Sequence, residues 1–202
     1  MSKALFITGT GTDTGKTYIT GLIVKKLQEA EKNPAYYKTA MSGNDRRPDG
    51  TLIPGDALSV QTMSGIDQSL TSMCPYVYEH AYSPHLASRL EGNPVVMDVV
   101  KHGFADVTAD YDYVTVEGSG GILCPICFDE AKIQLEDVVK ELRLSSILIA
   151  DAGLGTINSV VLTAEYMKIH GLPLKGIIFN HYHPGDVMED DNIFMCEHMT
   201  GL

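Results

Sequence analysis

The chain has 202 residues, 44% of them apolar, and carries 15 Lys and Arg against 26 Asp and Glu, a formal charge of −11. That length and apolar content suffice for a buried core in one domain, residues 1–202, and the acidic balance argues against a nucleic-acid or anionic-membrane partner, since the most basic stretches are the doublets Lys25-Lys26 and Arg46-Arg47. No run approaches the roughly 18 apolar residues that span a bilayer, and the first residues lack the charged-then-apolar plan of a signal peptide, so a cytoplasmic protein with reduced cysteines is expected.

From residue 4 a short apolar strand pattern runs into a Gly/Thr-rich loop, and Ile19, Leu22, Ile23 and Leu27 mark one face of a helix over 17–30. A second strand is predicted over 34–38 and a long Gly-, Pro-, Asp- and Arg-rich loop over 41–54. Helices follow over 56–64, over 83–91 with Ser83-Pro84 as its start, and over 94–109. The remaining pattern gives a strand over 113–117, a helix over 135–142 and a buried strand over 146–150. A helix marked by Ile157, Val160, Val161, Ala164 and Met167 stops at Gly171. A strand over 174–180 and a helix over 190–199 complete the chain. Short apolar strands alternating with helices imply an α/β fold, a doubly wound, mainly parallel sheet with helices on both faces and ligands at the carboxyl ends of the strands.

The loop after the first strand carries the strongest chemical signal. Gly15-Lys16-Thr17 closes a phosphate-binding loop: backbone N–H groups and a helix N-terminus face phosphate oxygens, Lys16 adds a cation, and Thr17 offers a hydroxyl to Mg²⁺. The common spacing G-x-x-x-x-G-K-[ST] would need Gly at position 10. Here that residue is Thr10 and the leading glycine is Gly9, so the loop is one residue longer. A nucleoside triphosphate is the expected ligand, within a P-loop NTPase-like fold.

Two further strand tips belong to the same crevice under the carboxyl-end rule. Lys38 ends the second strand, where it either faces the phosphates beside Lys16 or snorkels to water. Glu117 ends Tyr-Val-Thr-Val-Glu and precedes Gly-Ser-Gly-Gly, a position suited to a Mg²⁺ ligand. Asp56 reads either as a second ligand or as a helix N-cap. Cys124-Pro-Ile-Cys127 spells C-x-x-C without a second ligand pair, and is read as two small buried residues in a loop. His85 reads as a helix-start residue lining the cleft rather than a general base.

Six segments in order, Thr8 to Thr17, Tyr37 to Gly43, Gly55-Asp-Ala57, Ser83-Pro-His-Leu-Ala87, Val116 to Gly121 and Gly153 to Asn158, together resemble dethiobiotin synthetase, lengthened loop included. The resemblance implies ATP- and Mg²⁺-dependent closure of a ureido ring from 7,8-diaminononanoate and CO₂ or bicarbonate, through a carbamate and a carbamic-phosphoric anhydride, in biotin biosynthesis. It implies catalytic roles for Lys16, Lys38, Thr12 and Ser42, with Thr12 and Ser42 on the carbamate. Nucleotide contacts fall on Asp13, Thr14, Gly15, Lys16, Thr17, Glu117, Gly118, Gly120 and Asn180, and metal contacts on Thr17, Asp56 and Glu117. The 118–121 segment is expected to close over the substrate amines. Asn180 resembles the family's base-recognising asparagine, or it is a turn former before His181. A homodimer is implied, the partner's Gly153, Leu154 and Asn158 lying near the substrate carboxylate.

Two features depart from the family pattern: Thr14 stands where a small aliphatic residue is usual, and the family usually continues beyond Thr200-Gly-Leu202 into another strand and a loop near the nucleobase. Two other activities share the phosphate loop. A partitioning-type ATPase switch carries a second lysine near the loop's start, where this chain has Gly9 and Thr10. Small metabolite kinases often bring an Arg-rich lid, and this chain has only Arg46, Arg47, Arg89 and Arg143.

Overall fold

The computed structural model describes residues 3–202. The chain begins with β1 (Lys3–Gly9), α1 (Lys16–Glu29), β2 (Pro34–Lys38), β3 (Ala40–Met41), α2 (Gly55–Ser64), α3 (Leu70–Met73) and β4 (Tyr76–Val77). It continues with α4 (Pro84–Leu90), α5 (Met97–Asp110), β5 (Tyr113–Gly121), β6 (Pro125–Phe128), β7 (Lys132–Gln134) and α6 (Leu135–Glu141). The last elements are β8 (Ser145–Asp151), α7 (Thr156–Ile169), β9 (Leu174–Asn180) and α8 (Val187–Thr200). Five strands form one parallel sheet in the order β2-β5-β1-β8-β9.

Alternation along the strands distributes the core to two faces, because successive residues of a strand point to opposite sides. Ala35 and Tyr37 join Phe6, Val114 and Val116 against Val100 and Val107 of α5 and Val138 of α6. Tyr36, between them, packs on the other face with Val24 of α1 and with Ala57 and Val60 of α2. Leu148 and Ala150 of β8 meet Val160 of α7 and Cys196 of α8. Helices thus cover both faces, the arrangement that apolar parallel strands require.

Some elements differ from the sequence reading. The third of the mid-chain helices starts at Met97 rather than Pro94, because Val96 is extended and its N–H donates to Tyr76 Oη at 3.0 Å. The last helix starts at Val187 rather than Asp190. Asp186 caps it, accepting from the N–H groups of Met188 and Glu189. The 125–134 stretch is an antiparallel hairpin, β6 with β7, so Cys127 is a buried strand residue and not a loop residue. Cys124 is only partly buried, and all four cysteines are free thiols.

The segment 118–121 is the continuation of β5 rather than a separate closing loop. Gly118 shows why: a Cβ there would lie 2.7 Å from Leu135 Cδ2 and 2.8 Å from Phe6 Cζ, both fully buried side chains. Gly118→Ala is therefore expected to overpack the core at a cost of about 1–3 kcal/mol. Thermal unfolding should show the midpoint falling by roughly 2–4 °C per kcal/mol for a chain of this size. An unchanged midpoint would mean that the strand has room to relax.

Candidate active site

The site forms where the carboxyl ends of β1, β2 and β5 meet the start of α1. Gly15 takes φ +84° and opens α1, a left-handed conformation in which glycine carries no Cβ penalty. A Cβ at Gly15 would also collide with the amide nitrogen of Asn180. Asn180 Nδ2 donates to the Thr14 carbonyl at 3.1 Å, so the strand tip of β9 braces the phosphate loop. Thr14 itself is buried beside Gly9, with an Oγ1 that has no hydrogen-bond partner in the described structure. Thr12 and Asp13 are exposed at the rim, and Lys16 Nζ donates to the Gly11 carbonyl at 2.6 Å.

Sheet register builds the charged centre. Pairing of β2 with β5 sets Lys38 opposite Glu117. Their side chains meet at 2.7 Å, Lys38 Nζ to Glu117 Oε1, and Lys38 also reaches Asp56 Oδ2 at 2.6 Å. Lys38 is 5% exposed and Glu117 1%, so Lys38 is a buried, paired ammonium rather than a snorkelling one. Thr17 Oγ1 donates to Glu117 Oε1 at 2.8 Å and lies 3.3 Å from Asp56 Oδ1. Tyr36 Oη donates to Glu117 Oε2 at 3.1 Å.

Asp56 lies in the first turn of α2, whose N-cap is Pro54, and it makes no capping bond. Its carboxylate goes to Lys38 and Thr17 instead. Asn44 fixes where α2 begins: its Oδ1 accepts from Gly55 N–H at 2.9 Å while its Nδ2 donates to the Met41 and Tyr78 carbonyls.

The electrostatics follow from burial and pairing. Burial lowers the Lys38 ammonium, but Glu117 and Asp56 outweigh it and the net direction is upward, so Lys38 stays charged. Burial and then repulsion from Lys38 lower Lys16. Burial raises the Asp56 carboxyl, yet the charge and hydrogen bond of Lys38 carry it below the usual carboxylate range. Burial, with the negative charge of Glu117 next, holds the Tyr36 phenol well above its ordinary value, so it remains a donor.

A cleft of about 900 Å³ lies over this centre. Thr12, Asp13, Gly15, Lys16, Thr17, Lys38, Ser42, Asp56, Glu117 and Gly120 all line it. Gly118 does not line it, being packed into the core. Neither does His85, a half-buried residue in the first turn of α4 as expected, whose Nδ1 lies 2.6 Å from Oγ of the N-cap Ser83. Gly153, Leu154 and Asn158 of the same chain are also absent from the lining, and Leu154 is 89% exposed beside the start of α7. Ser119 of the 118–121 segment lines the cleft as well, and the cleft also takes in Tyr82, Cys124 and His181, which the sequence reading did not place there. His181 Nδ1 sits 2.8 Å from Asp151 Oδ2 at the tip of β8. Cys124 arrives through the turn between β5 and β6, where its N–H donates to the Gly121 carbonyl at 2.9 Å, and no local sequence signal marks it as a cleft residue.

No group of three or more His, Cys, Asp or Glu side chains suited to a metal occurs among the described residues. Two carboxylates and one hydroxyl around a charged centre make an all-oxygen set, too few to complete a cage alone. Mg²⁺ fits such a set, since it commonly takes one or two carboxylates and fills its remaining positions with water and phosphate oxygens.

A family model described as an AAA domain matches residues 3–202. Among solved structures, the 54 kDa signal recognition particle protein of Aeropyrum pernix in complex with GDP aligns with TM-score 0.53 and 16% identity, over 99% of this chain and 39% of that one. The kinase domain of the Escherichia coli tyrosine kinase ETK aligns with TM-score 0.51 and 16% identity, over 92% of this chain and 70% of that one. These identities establish the fold alone, a P-loop NTPase-like parallel sheet. The ATP-dependent dethiobiotin synthetase of Brachyspira hyodysenteriae is 49% identical over 203 residues, spanning 100% of this chain and 90% of the relative. That of Clostridium perfringens strain 13 is 45% identical over 202 residues, spanning 100% of this chain and 88% of the relative. Matches of this degree span the whole chain and are not confined to the phosphate loop, and the chain belongs to the dethiobiotin synthetase family.

Proposed function

We propose that this protein, acting as one domain, closes the ureido ring of dethiobiotin from 7,8-diaminononanoate and CO₂ at the expense of ATP. The observation that carries the reading is the concentration of Lys16, Lys38, Thr17, Asp56 and Glu117 under one cleft, in a member of this family. Reaction requires two anions, a carbamate and a triphosphate, to approach each other. Positive charge fixed between them lowers that barrier without reorganising at the moment of reaction.

One substrate amine captures CO₂ as a carbamate, releasing a proton. A carbamate oxygen then attacks the γ-phosphorus and ADP departs. The second amine attacks the carbonyl carbon of the resulting anhydride, expelling phosphate and closing the ring. Thr12 and Ser42 hold the carbamate in this reading, and Lys38 stabilises the charge that gathers between carbamate and phosphate. Lys16 and the loop N–H groups from Asp13 to Thr17 hold the phosphates, Gly120 borders them, and Asn180 recognises the base. Thr17, Asp56 and Glu117 would hold Mg²⁺, which supplies charge neutralisation on the phosphate oxygens when bound.

Incubation with diaminononanoate, bicarbonate, ATP and Mg²⁺ is expected to yield dethiobiotin with stoichiometric ADP and phosphate. ATP loss without that product would overturn the reading in favour of an ATPase switch or a metabolite kinase.

The reading includes a homodimer in which the partner's Gly153, Leu154 and Asn158 receive the substrate carboxylate. It is supported by the Gly153–Asn158 segment, which leads into α7, exposes Leu154, Gly155 and Asn158, and stands apart from the lining of its own chain's cleft. Mixing an inactive Lys16→Ala subunit with an inactive Asn158→Ala subunit should then regenerate activity. With random pairing, about a quarter of the sites combine an intact loop with an intact partner segment. Absence of recovery after confirmed subunit exchange would confine the site to one chain.

A further inference from the structure

The two oxygens of Glu117 have different partners. Oε1 meets Lys38 and Thr17 on the side of the cleft, whereas Oε2 accepts only the Tyr36 phenol at 3.1 Å. Tyr36 is 0% exposed and sits two residues before Lys38, on the same face of β2. Its backbone is held from the open edge of the sheet by a side chain in place of a strand. Tyr36 N–H donates to Gln68 Oε1 at 2.8 Å, and Gln68 Nε2 donates back to the Tyr36 carbonyl at 3.0 Å. Gln68 is itself buried, and its own carbonyl accepts from Gln61 Nε2 at 2.7 Å.

We propose that Tyr36 is a positioning residue that holds Glu117 Oε2 on the buried side, so that Oε1 is the oxygen turned to the cleft for coordination, and thereby favours Mg²⁺ over Ca²⁺ at this site. The inference rests on the reading of Glu117 as a metal ligand. Mg²⁺ demands near-octahedral geometry with short single-oxygen contacts, while Ca²⁺ accommodates six to eight oxygens and readily takes a carboxylate through both. Tyr36 does not line the cleft, so bidentate coordination by Glu117 would have to draw Oε2 away from the buried side and stretch its bond to the phenol, which has no other acceptor among the described residues. The phenol therefore penalises the larger ion and holds the carboxylate in the orientation the smaller ion uses.

Tyr36→Phe keeps the ring in the core and removes only the O–H. Calorimetric titration of Mg²⁺ and of Ca²⁺ into protein saturated with β,γ-methylene ATP reads each affinity without turnover. In Tyr36→Phe, Mg²⁺ affinity is expected to fall about tenfold, the scale for loss of a ligand-orienting partner. Ca²⁺ affinity should hold or rise, so the preference for Mg²⁺ narrows by at least that factor. Unchanged affinities, or an equal fall for both ions with a lowered melting midpoint, would make Tyr36 a core residue only and overturn the proposal. Glu117→Gln separates the two layers: if its Mg²⁺ affinity equals that of the parent, the ligand reading itself fails.

Discussion

Replacing Lys38 by Gln is expected to lower turnover by about 10²-fold or more, the scale of a single electrostatic stabiliser removed from a reacting centre. Gln preserves length and polarity, so the loss reports on charge. That charge is present at working pH, because Glu117 and Asp56 hold the ammonium protonated despite its burial. The same pairing sets a second expectation. Lys38 neutralises the two carboxylates that Mg²⁺ would use, so its removal should leave Mg²⁺ affinity undiminished while turnover collapses. Removing one partner of a buried pair also destabilises the fold, so turnover is to be compared well below the variant's melting midpoint. Near-normal turnover in Lys38→Gln would overturn its catalytic role. A parallel loss of Mg²⁺ affinity would make it a structural counter-ion.

Glu117→Gln should behave differently, losing Mg²⁺ affinity and turnover together. The amide is isosteric: its oxygen can still accept from Thr17 while its Nε2–H faces the Tyr36 hydroxyl oxygen, so packing around the 1%-exposed side chain is retained while the negative charge is lost. Turnover at limiting Mg²⁺ should fall by roughly 10²-fold, the scale on which removed charge stabilisation is felt, and excess Mg²⁺ should recover part of it. Coincident Mg²⁺ titrations of variant and parent would exclude Glu117 as a ligand. Because Lys38 and Glu117 contact each other at 2.7 Å, the double variant should lose less than the product of the single losses. Strict additivity would mean that the two residues act independently.

The chemistry-bearing positions legible in the sequence share one property: each lies at the end of a recognisable element. Lys16 and Thr17 follow a glycine loop, Lys38 ends its strand, Glu117 ends the strand expected over 113–117, which the structure extends to Gly121, and Asn180 ends the last strand. The carboxyl-end rule for parallel sheets then assigns them to one crevice without coordinates. Tyr36 carried a usable signal as well. Its two-residue spacing from Lys38 fixes a shared strand face, although an apolar strand reads first as core. Ser83 and Tyr82 were reachable only as neighbours of a helix start, and Cys124 and His181 had no signal of that kind. The 125–134 hairpin escaped the reading because its strands are only four and three residues long, too short to display a two-residue period.

The sequence by itself determined the alternation of strands and helices, the phosphate loop with its extra residue, and the set of strand tips that face one crevice. These follow from local periodicity and from residues whose conformational needs are local. Tertiary structure alone decided which groups touch. Whether Asp56 caps a helix or pairs with Lys38 depends on where Asn44 anchors α2, eleven residues away in sequence and held to Met41 and Tyr78. Whether Lys38 snorkels or is buried depends on the register of β2 against β5, 79 residues on. Gly118 turned from a loop residue into a core position because Phe6 and Leu135 converge on it from two other elements. Contacts between distant segments are set by how whole faces pack, and no local pattern in the chain encodes that distance.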